Sequence, residues 1–465
     1  MTSTGRPFAV WVFAALLPAV VSAQEPVVLQ QAPEQPPSAG KLVQAPNNEP
    51  VPENLRRPYR GLFAPPADPR VSRQSLDLSL HVNGAYDDDV YAAEASTSSL
   101  YRQSGWYAGA SAGLDYSRPG ERFAFAAGAD AGVNRYENRD ETLGAYRTKA
   151  GLSAALTRKT RLRVAQSFSY APEYRLGLFV SPTALAGALD PFAPVVPDLD
   201  IYRLKNYRFG SEVSLTQTIG RRSALEGTYA LLRADYSEDR FDYRAQMGGA
   251  RFLHQLTRHA SLRAGYFYNV AGYLRENGVR NQRVHNIDAG VDYGRALSFS
   301  RRTSINFSTG SAVLVRDDLA RPDENRELWY RIIGDANLRH EIGRTWTTQL
   351  GYRRGVDFHE GFNEPFLLDS VNARIGGFLS RRARFGATTD YARGTVGVDT
   401  NNRFDSVSAT SGMEFALSRN YALYGRYLYY RYGFDNNVAL DPRFLRELDR
   451  QGVRFGLAAS FALIR

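Results

Sequence analysis

From about residue 71 onward the chain alternates apolar and polar residues with a period of two. Leu76, Leu78, Leu80 and Val82 alternate with Asp77, Ser79, His81 and Asn83. Trp106, Ala108, Ala110, Ala112, Leu114 and Tyr116 alternate with Tyr107, Gly109, Ser111, Gly113 and Asp115. Val453, Phe455, Leu457, Ala459 and Phe461 oppose Arg454, Gly456 and Ser460 at the other end of the chain. Alternation sustained over ten or so residues predicts strands rather than helices. Short basic turns punctuate these runs about every 40 residues, among them Thr157-Arg158-Lys159-Thr160, Gly220-Arg221-Arg222-Ser223, Ser380-Arg381-Arg382-Ala383 and Ser418-Arg419-Asn420-Tyr421. Between basic turns lie longer, more acidic segments. Short turns at one end and long loops at the other predict an all-β, antiparallel up-and-down transmembrane barrel of about 18 strands, with 16 as the alternative because register is ambiguous over 223–256.

The two stripes differ in kind. The polar stripe carries Gly, Ser, Arg and Asp, and the apolar stripe is capped toward strand ends by aromatics such as Tyr116, Phe168, Tyr170, Tyr266, Tyr293, Trp346, Tyr391 and Tyr421. That is the expected arrangement of a lipid-facing belt between two aromatic girdles, with the small polar residues lining a wet interior. A β-propeller also repeats near every 40 residues, but it fits four short strands into the period. Here the period holds two long ones, which also argues against a large soluble sandwich.

The N-terminus reads as a secretory leader, 1–23: Arg6 supplies the charge, Pro7 to Val21 the apolar stretch, and Val21-Ser22-Ala23 the small-residue cleavage pattern. Residues 24–70 are rich in Pro, Gln, Asn and Glu, the composition of a flexible periplasmic segment. The barrel domain is 71–465. After the leader no apolar run is long enough for a membrane helix, so a membrane-spanning form of this chain must be a closed barrel. There is no cysteine, hence no disulfide framework. Lipopolysaccharide and other outer-membrane lipid are the expected surroundings, and the barrel-assembly machinery the expected folding partner.

The net charge of +10 comes almost wholly from arginine. Arginine's planar fork suits phosphate and carboxylate. For an exported chain this points away from nucleic acid and toward anionic lipid or an anionic solute. The bases that fall on the polar stripe are Arg122, Arg147, Lys149, Arg161, Arg163, Arg208, Arg263, Arg331, Arg339, Arg353, Arg374, Arg384 and Arg454, with Asp130, Asp288 and Asp390 among the acids. Many of these are expected to form a cross-strand charge ladder. The remainder are pore-lining candidates that select solute by field. The six histidines lack metal-ligand spacing and there is no nucleophile elbow or phosphate loop, so neither catalysis, cofactor nor metal is expected. Asp87-Asp88-Asp89 reads as a solvated acidic loop with divalent-cation binding as the alternative, and the apolar, proline-rich segment Leu176 to Tyr202 is expected to fold into the mouth or lumen.

The stretch Ala85-Tyr86-Asp87-Asp88-Asp89-Val90-Tyr91 and the turns Leu297-Ser298-Phe299-Ser300-Arg301-Arg302 and Leu379-Ser380-Arg381-Arg382 resemble the β-barrel porin 2 family. The resemblance spans about residues 71–465 and implies an outer-membrane barrel. Some relatives in that family are associated with exopolysaccharide export, which implies periplasmic polysaccharide-export partners. The last strand resembles a barrel-assembly signal through Arg454, Gly456, Ala459 and Phe461. The expected function is a porin-like channel for polar or anionic solutes. The alternatives are an exopolysaccharide-secretion barrel and a plugged barrel acting as a surface adhesin or scaffold.

Overall fold

The computed structural model describes residues 74–88, 104–120, 122–137, 141–172, 174–175, 200–202, 205–237, 242–275, 278–297, 300–315, 328–343, 345–357, 366–397, 401–438, 440 and 446–464. The expected leader, the segment 24–70 and residues 176–199, the bulk of the segment expected to fold inward, lie outside these.

The first strands are β1 (Ser75–Asp87), β2 (Gly105–Arg118), β3 (Phe123–Tyr136), β4 (Glu141–Ala155) and β5 (Thr160–Ala171). Two short strands follow, β6 (Tyr174–Arg175) and β7 (Asp200–Tyr202). Then come β8 (Asn206–Thr218), β9 (Ser223–Tyr236), β10 (Tyr243–Gln255), β11 (Ala260–Arg275), β12 (Gly278–Leu297) and β13 (Ser300–Val315). The chain continues through β14 (Leu328–Ile342), β15 (Trp346–Asp357), β16 (Phe366–Phe378), β17 (Ala383–Val396), β18 (Arg403–Ala416), β19 (Tyr421–Phe434) and β20 (Glu447–Ile464). Among the described residues there is no helix.

Eighteen strands form one antiparallel sheet, and β6 pairs only with β7. The sheet closes because β1 pairs with both β2 and β20. Closure leaves no unpaired strand edge, the condition for backbone in lipid. The ambiguous region resolves into β9 and β10, paired from Tyr243↔Ala234 to His254↔Ser223 without a break.

At one end the connections are short, among them 156–159, 219–222, 256–259, 379–382 and 417–420. The opposite end was expected to carry long loops throughout. Twelve residues each separate β13 from β14 (316–327) and β19 from β20 (435–446), but only 137–140 separate β3 from β4 and only 276–277 separate β11 from β12. The reason lies in the strands: β11 and β12 run 16 and 20 residues, so chain that reads as loop is paired into a long hairpin instead. At Gly343 the β14–β15 turn adopts φ 63°, a left-handed conformation that glycine enters without steric cost.

The apolar stripe faces outward. Except for Leu232 and the adjacent Leu463 and Ile464 at the register shift ending β20, every large exposed apolar residue on a barrel strand lies on it, including Val82, Trp106, Leu215, Tyr330, Ile332, Leu423, Phe455 and Leu457. A closed belt of this extent far exceeds the patches a water-facing monomer tolerates. Aromatic pairs ring the belt at two levels. Tyr116–Phe125, Tyr293–Phe307, Trp346–Phe385 and Tyr421–Phe461 lie toward the short turns. Tyr86–Trp106, Tyr146–Tyr170 and Tyr170–Tyr207 lie toward the loops. On β2, Trp106 and Tyr116 mark both levels. Their separation is about 33 Å along the strand at roughly 3.3 Å per residue, which a tilt of about 40° reduces to about 25 Å, the height of an outer-membrane apolar band.

Candidate functional site: the inner wall of the barrel

The polar stripe becomes the inner wall, and it divides into two zones. The middle and the short-turn half are charged. Arg263 on β11 and Asp292 on β12 meet at 2.7 Å with both side chains buried. Arg263 also donates to the carbonyl of Thr309 on β13 at 2.9 Å. It reaches that carbonyl over Gly290, where a Cβ would collide with Thr309 O. Ser308 donates to Asp335, which stands opposite Arg353. Arg147 approaches Asp130 at 3.8 Å, Arg251 approaches Glu226 at 3.8 Å, and Arg426 approaches Glu414 at 3.9 Å.

The long-loop half is different. There the inner wall is aromatic and dry. Phe366, Tyr432 and Ala271 are 0% exposed, and Tyr430 is 1% exposed. One apolar cluster contains Ala234, Tyr236, Tyr243 and Ala271 from β9–β11 together with Phe366, Phe404, Tyr432, Phe434 and Leu448 from β16–β20. These strand groups lie far apart in the order of the sheet. A second cluster stacks Tyr107 on Tyr136, with ring centroids 5.0 Å apart. The wet interior expected along the whole wall is therefore corrected at this end: water does not reach these positions. On other sectors of the same half, Ala145, Ser169, Arg331 and Arg353 keep partial exposure. An 18-stranded barrel is otherwise wide enough for an aqueous channel. Replacing Phe404 and Phe434 together by serine should therefore raise single-channel conductance; an unchanged conductance in the folded variant would show that the aromatic zone does not limit passage.

The predicted wall residues sort by partner. Arg147, Lys149, Arg161, Arg163, Arg208, Arg263, Arg331, Arg339, Arg353, Arg374, Arg384, Arg454, Asp130 and Asp390 all take inward register positions. Asp288 takes an inward position opposite Gly265; its side chain lies outside the described set. Arg122 is the correction: it sits in the turn ahead of β3, exposed, with its carbonyl accepting from Ala155 N, so it belongs to the rim and not to the wall.

Several inward bases brace the barrel. Beyond Arg263 and Arg147, Arg454 donates to Tyr107 Oη at 3.0 Å, Arg208 approaches Tyr236 Oη at 3.4 Å, and Arg331 stacks on Trp329. Lys149 lies against Gly128, Arg384 stands opposite Glu414, and Ser408 donates to Asp390 at 3.4 Å. A different set stands directly opposite neutral residues on both neighbouring strands. Arg161 lies between Ala155 and Thr216, and Arg163 between Ser153 and Ser214. Arg374 lies between Gln349 and Thr388, and Arg339 lies between Ser304 and Gln349 while also approaching Glu341 on its own strand at 3.6 Å.

The acidic loop reading of Asp87 and Asp88 is corrected as well. Asp87 and Arg450 form a buried bidentate pair across the β1–β20 seam, at 2.6 and 2.8 Å. Asp88 accepts from Gln451 N at 2.8 Å. Asp89 lies outside the described residues. Among the described residues no cluster of His, Asp and Glu has metal-holding geometry.

No family model matches the chain, and no curated protein matches it. The resemblance to the β-barrel porin 2 family therefore rests on its short motifs. Solved outer-membrane barrels do match in shape. Acinetobacter baumannii OccAB4 is 11% identical, with TM-score 0.41, over 85% of this chain and 100% of that one. Pseudomonas aeruginosa OccK2 (OpdF), crystallised with glucuronate, is 10% identical, with TM-score 0.42, over 84% of this chain and 98% of that one. The P. aeruginosa siderophore receptor PirA is 10% identical, with TM-score 0.38, over 83% and 80%. Overlap this loose says nothing of solute or mechanism.

Proposed function

We propose that this chain is an outer-membrane channel that passes polar solutes with a preference for anions. The observation that carries the reading is the register of the inner wall: Arg161 and Arg374 stand directly opposite neutral side chains on both neighbouring strands. Arginines aligned with Thr, Ala and Gln leave a positive field over that part of the lumen, where a low-dielectric wall strengthens it. A guanidinium holds its charge at any physiological pH and offers a fork of donors to carboxylate or phosphate. The braced arginines hold the wall; the half-exposed ones meet the solute. The aromatic zone narrows the passage.

The test is ion selectivity in a planar bilayer under a salt gradient. Wild type should be anion-selective, and the double variant Arg161→Glu, Arg374→Glu should lower the chloride-to-potassium permeability ratio about threefold or more. A cation-selective wild type would sink the reading. The dry long-loop end favours one second reading, a closed barrel serving as a surface adhesin or scaffold. A folded, inserted protein with no conductance would select it.

A further inference from the structure

The short-turn rim repeats one device around the barrel. Each copy opens with an apolar residue on the outer edge: Leu156, Ile219, Leu256, Leu379 and Leu417, all 46–57% exposed. A Thr, Gly or Ser follows, and then a base: Arg158, Arg221, Arg258, Arg381 and Arg419. Three copies add a second base, Lys159, Arg222 and Arg382. The backbone geometry is shared. Ile219, Leu256, Leu379 and Leu417 donate their amides to the carbonyl four residues on, at 2.9–3.0 Å. The hydroxyls of Thr257, Ser380 and Ser418 each accept from two amides of the turn, at 3.0–3.3 Å. Such side-chain locks fix the turn, so the base is held at the tip. All of these turn bases are exposed.

We infer that this rim binds the phosphate groups of anionic phospholipid in the adjacent leaflet. Like charges spaced around a ring repel one another, so a repeated ring points to an anionic neighbour. The identity of that neighbour follows from continuity. The exposed Leu and Ile of each turn extend the apolar belt to the rim, past the lower aromatic girdle. An apolar residue at the hydrocarbon boundary with a base two or three residues further along is the arrangement that meets head groups. The outer face at the opposite end is built differently: three of its arginines are ion-paired, Arg233–Asp235, Arg354–Asp369 and Arg431–Glu447. The inference rests on the barrel lying in a membrane and is independent of what passes through it.

The experiment reconstitutes the full chain into nanodiscs of phosphatidylcholine containing a minor fraction of phosphatidylglycerol and measures the lipid retained on detergent extraction. Wild type should retain phosphatidylglycerol selectively. The variant with Arg158, Arg221, Arg258, Arg381 and Arg419 each changed to Gln should lose the preference about tenfold. About 1 M salt should weaken it in wild type. A heat-modifiable band on gels establishes that the variant is folded and inserted. Equal enrichment in variant and wild type overturns the inference. So does a rim that ignores phosphatidylglycerol but captures soluble polyglutamate, which would assign it to an acidic protein instead.

Discussion

Asp87→Ala should destabilise the folded barrel by about 3 to 5 kcal/mol, the cost of leaving a buried charge without its partner. Both members of the Asp87–Arg450 pair are 5% exposed at the side chain, and the carboxylate takes two guanidinium nitrogens. The pair sits where the first strand meets the last, 363 residues apart in sequence. Few contacts have so much chain closure behind them. Unfolding in urea, followed by the heat-modifiable gel band, measures the loss. The double variant Asp87→Ala, Arg450→Leu is the control. Removing both charges should recover a large part of the deficit, because the orphaned guanidinium is gone. A single variant within about 0.5 kcal/mol of wild type, or a double variant no better than the single, would mean that the pair does not latch the seam.

That latch also shows where sequence reading stopped. Asp87, Asp88 and Asp89 are adjacent to a loop, and local pattern says acidic loop. Their partners, Arg450 and Gln451, become neighbours only when the barrel closes. The face assignment was legible because a period of two is a local property, and nearly all the predicted bases landed on the wall. Whether a given base braces or stands toward solute was not legible, since it depends on the residues opposite on two other strands. Arg161 and Arg147 read alike in sequence; one faces Ala155 and Thr216, the other approaches Asp130. The aromatic inner zone was missed for a related reason. Over Tyr427-Leu428-Tyr429-Tyr430-Arg431-Tyr432-Gly433-Phe434 both faces of β19 are rich in aromatics, so alternation carries no sign. The outward Tyr427 and the inward Tyr430 and Tyr432 can be told apart only by where their neighbours stand.

Leu457→Arg should cost about 2 to 4 kcal/mol in lipid, while Ser460→Arg on the same strand should cost much less. Leu457 lies on the outer face of β20, flanked by Val82 on β1 and Leu423 on β19. The three are 40%, 61% and 48% exposed, an apolar patch with no protein over it. In water such a patch would be a liability; against acyl chains it is the correct surface. An arginine there must either pull its charge into hydrocarbon or bend toward an interface, and both are unfavourable. Ser460 stands opposite Ser79 on the inner wall, near the short turns, where a long side chain can reach solvent. Refolding each variant into lipid vesicles and titrating with urea compares them directly. Equal stability of the two, or a larger loss at Ser460, would reverse the assignment of faces, and with it the placement of every arginine on the wall.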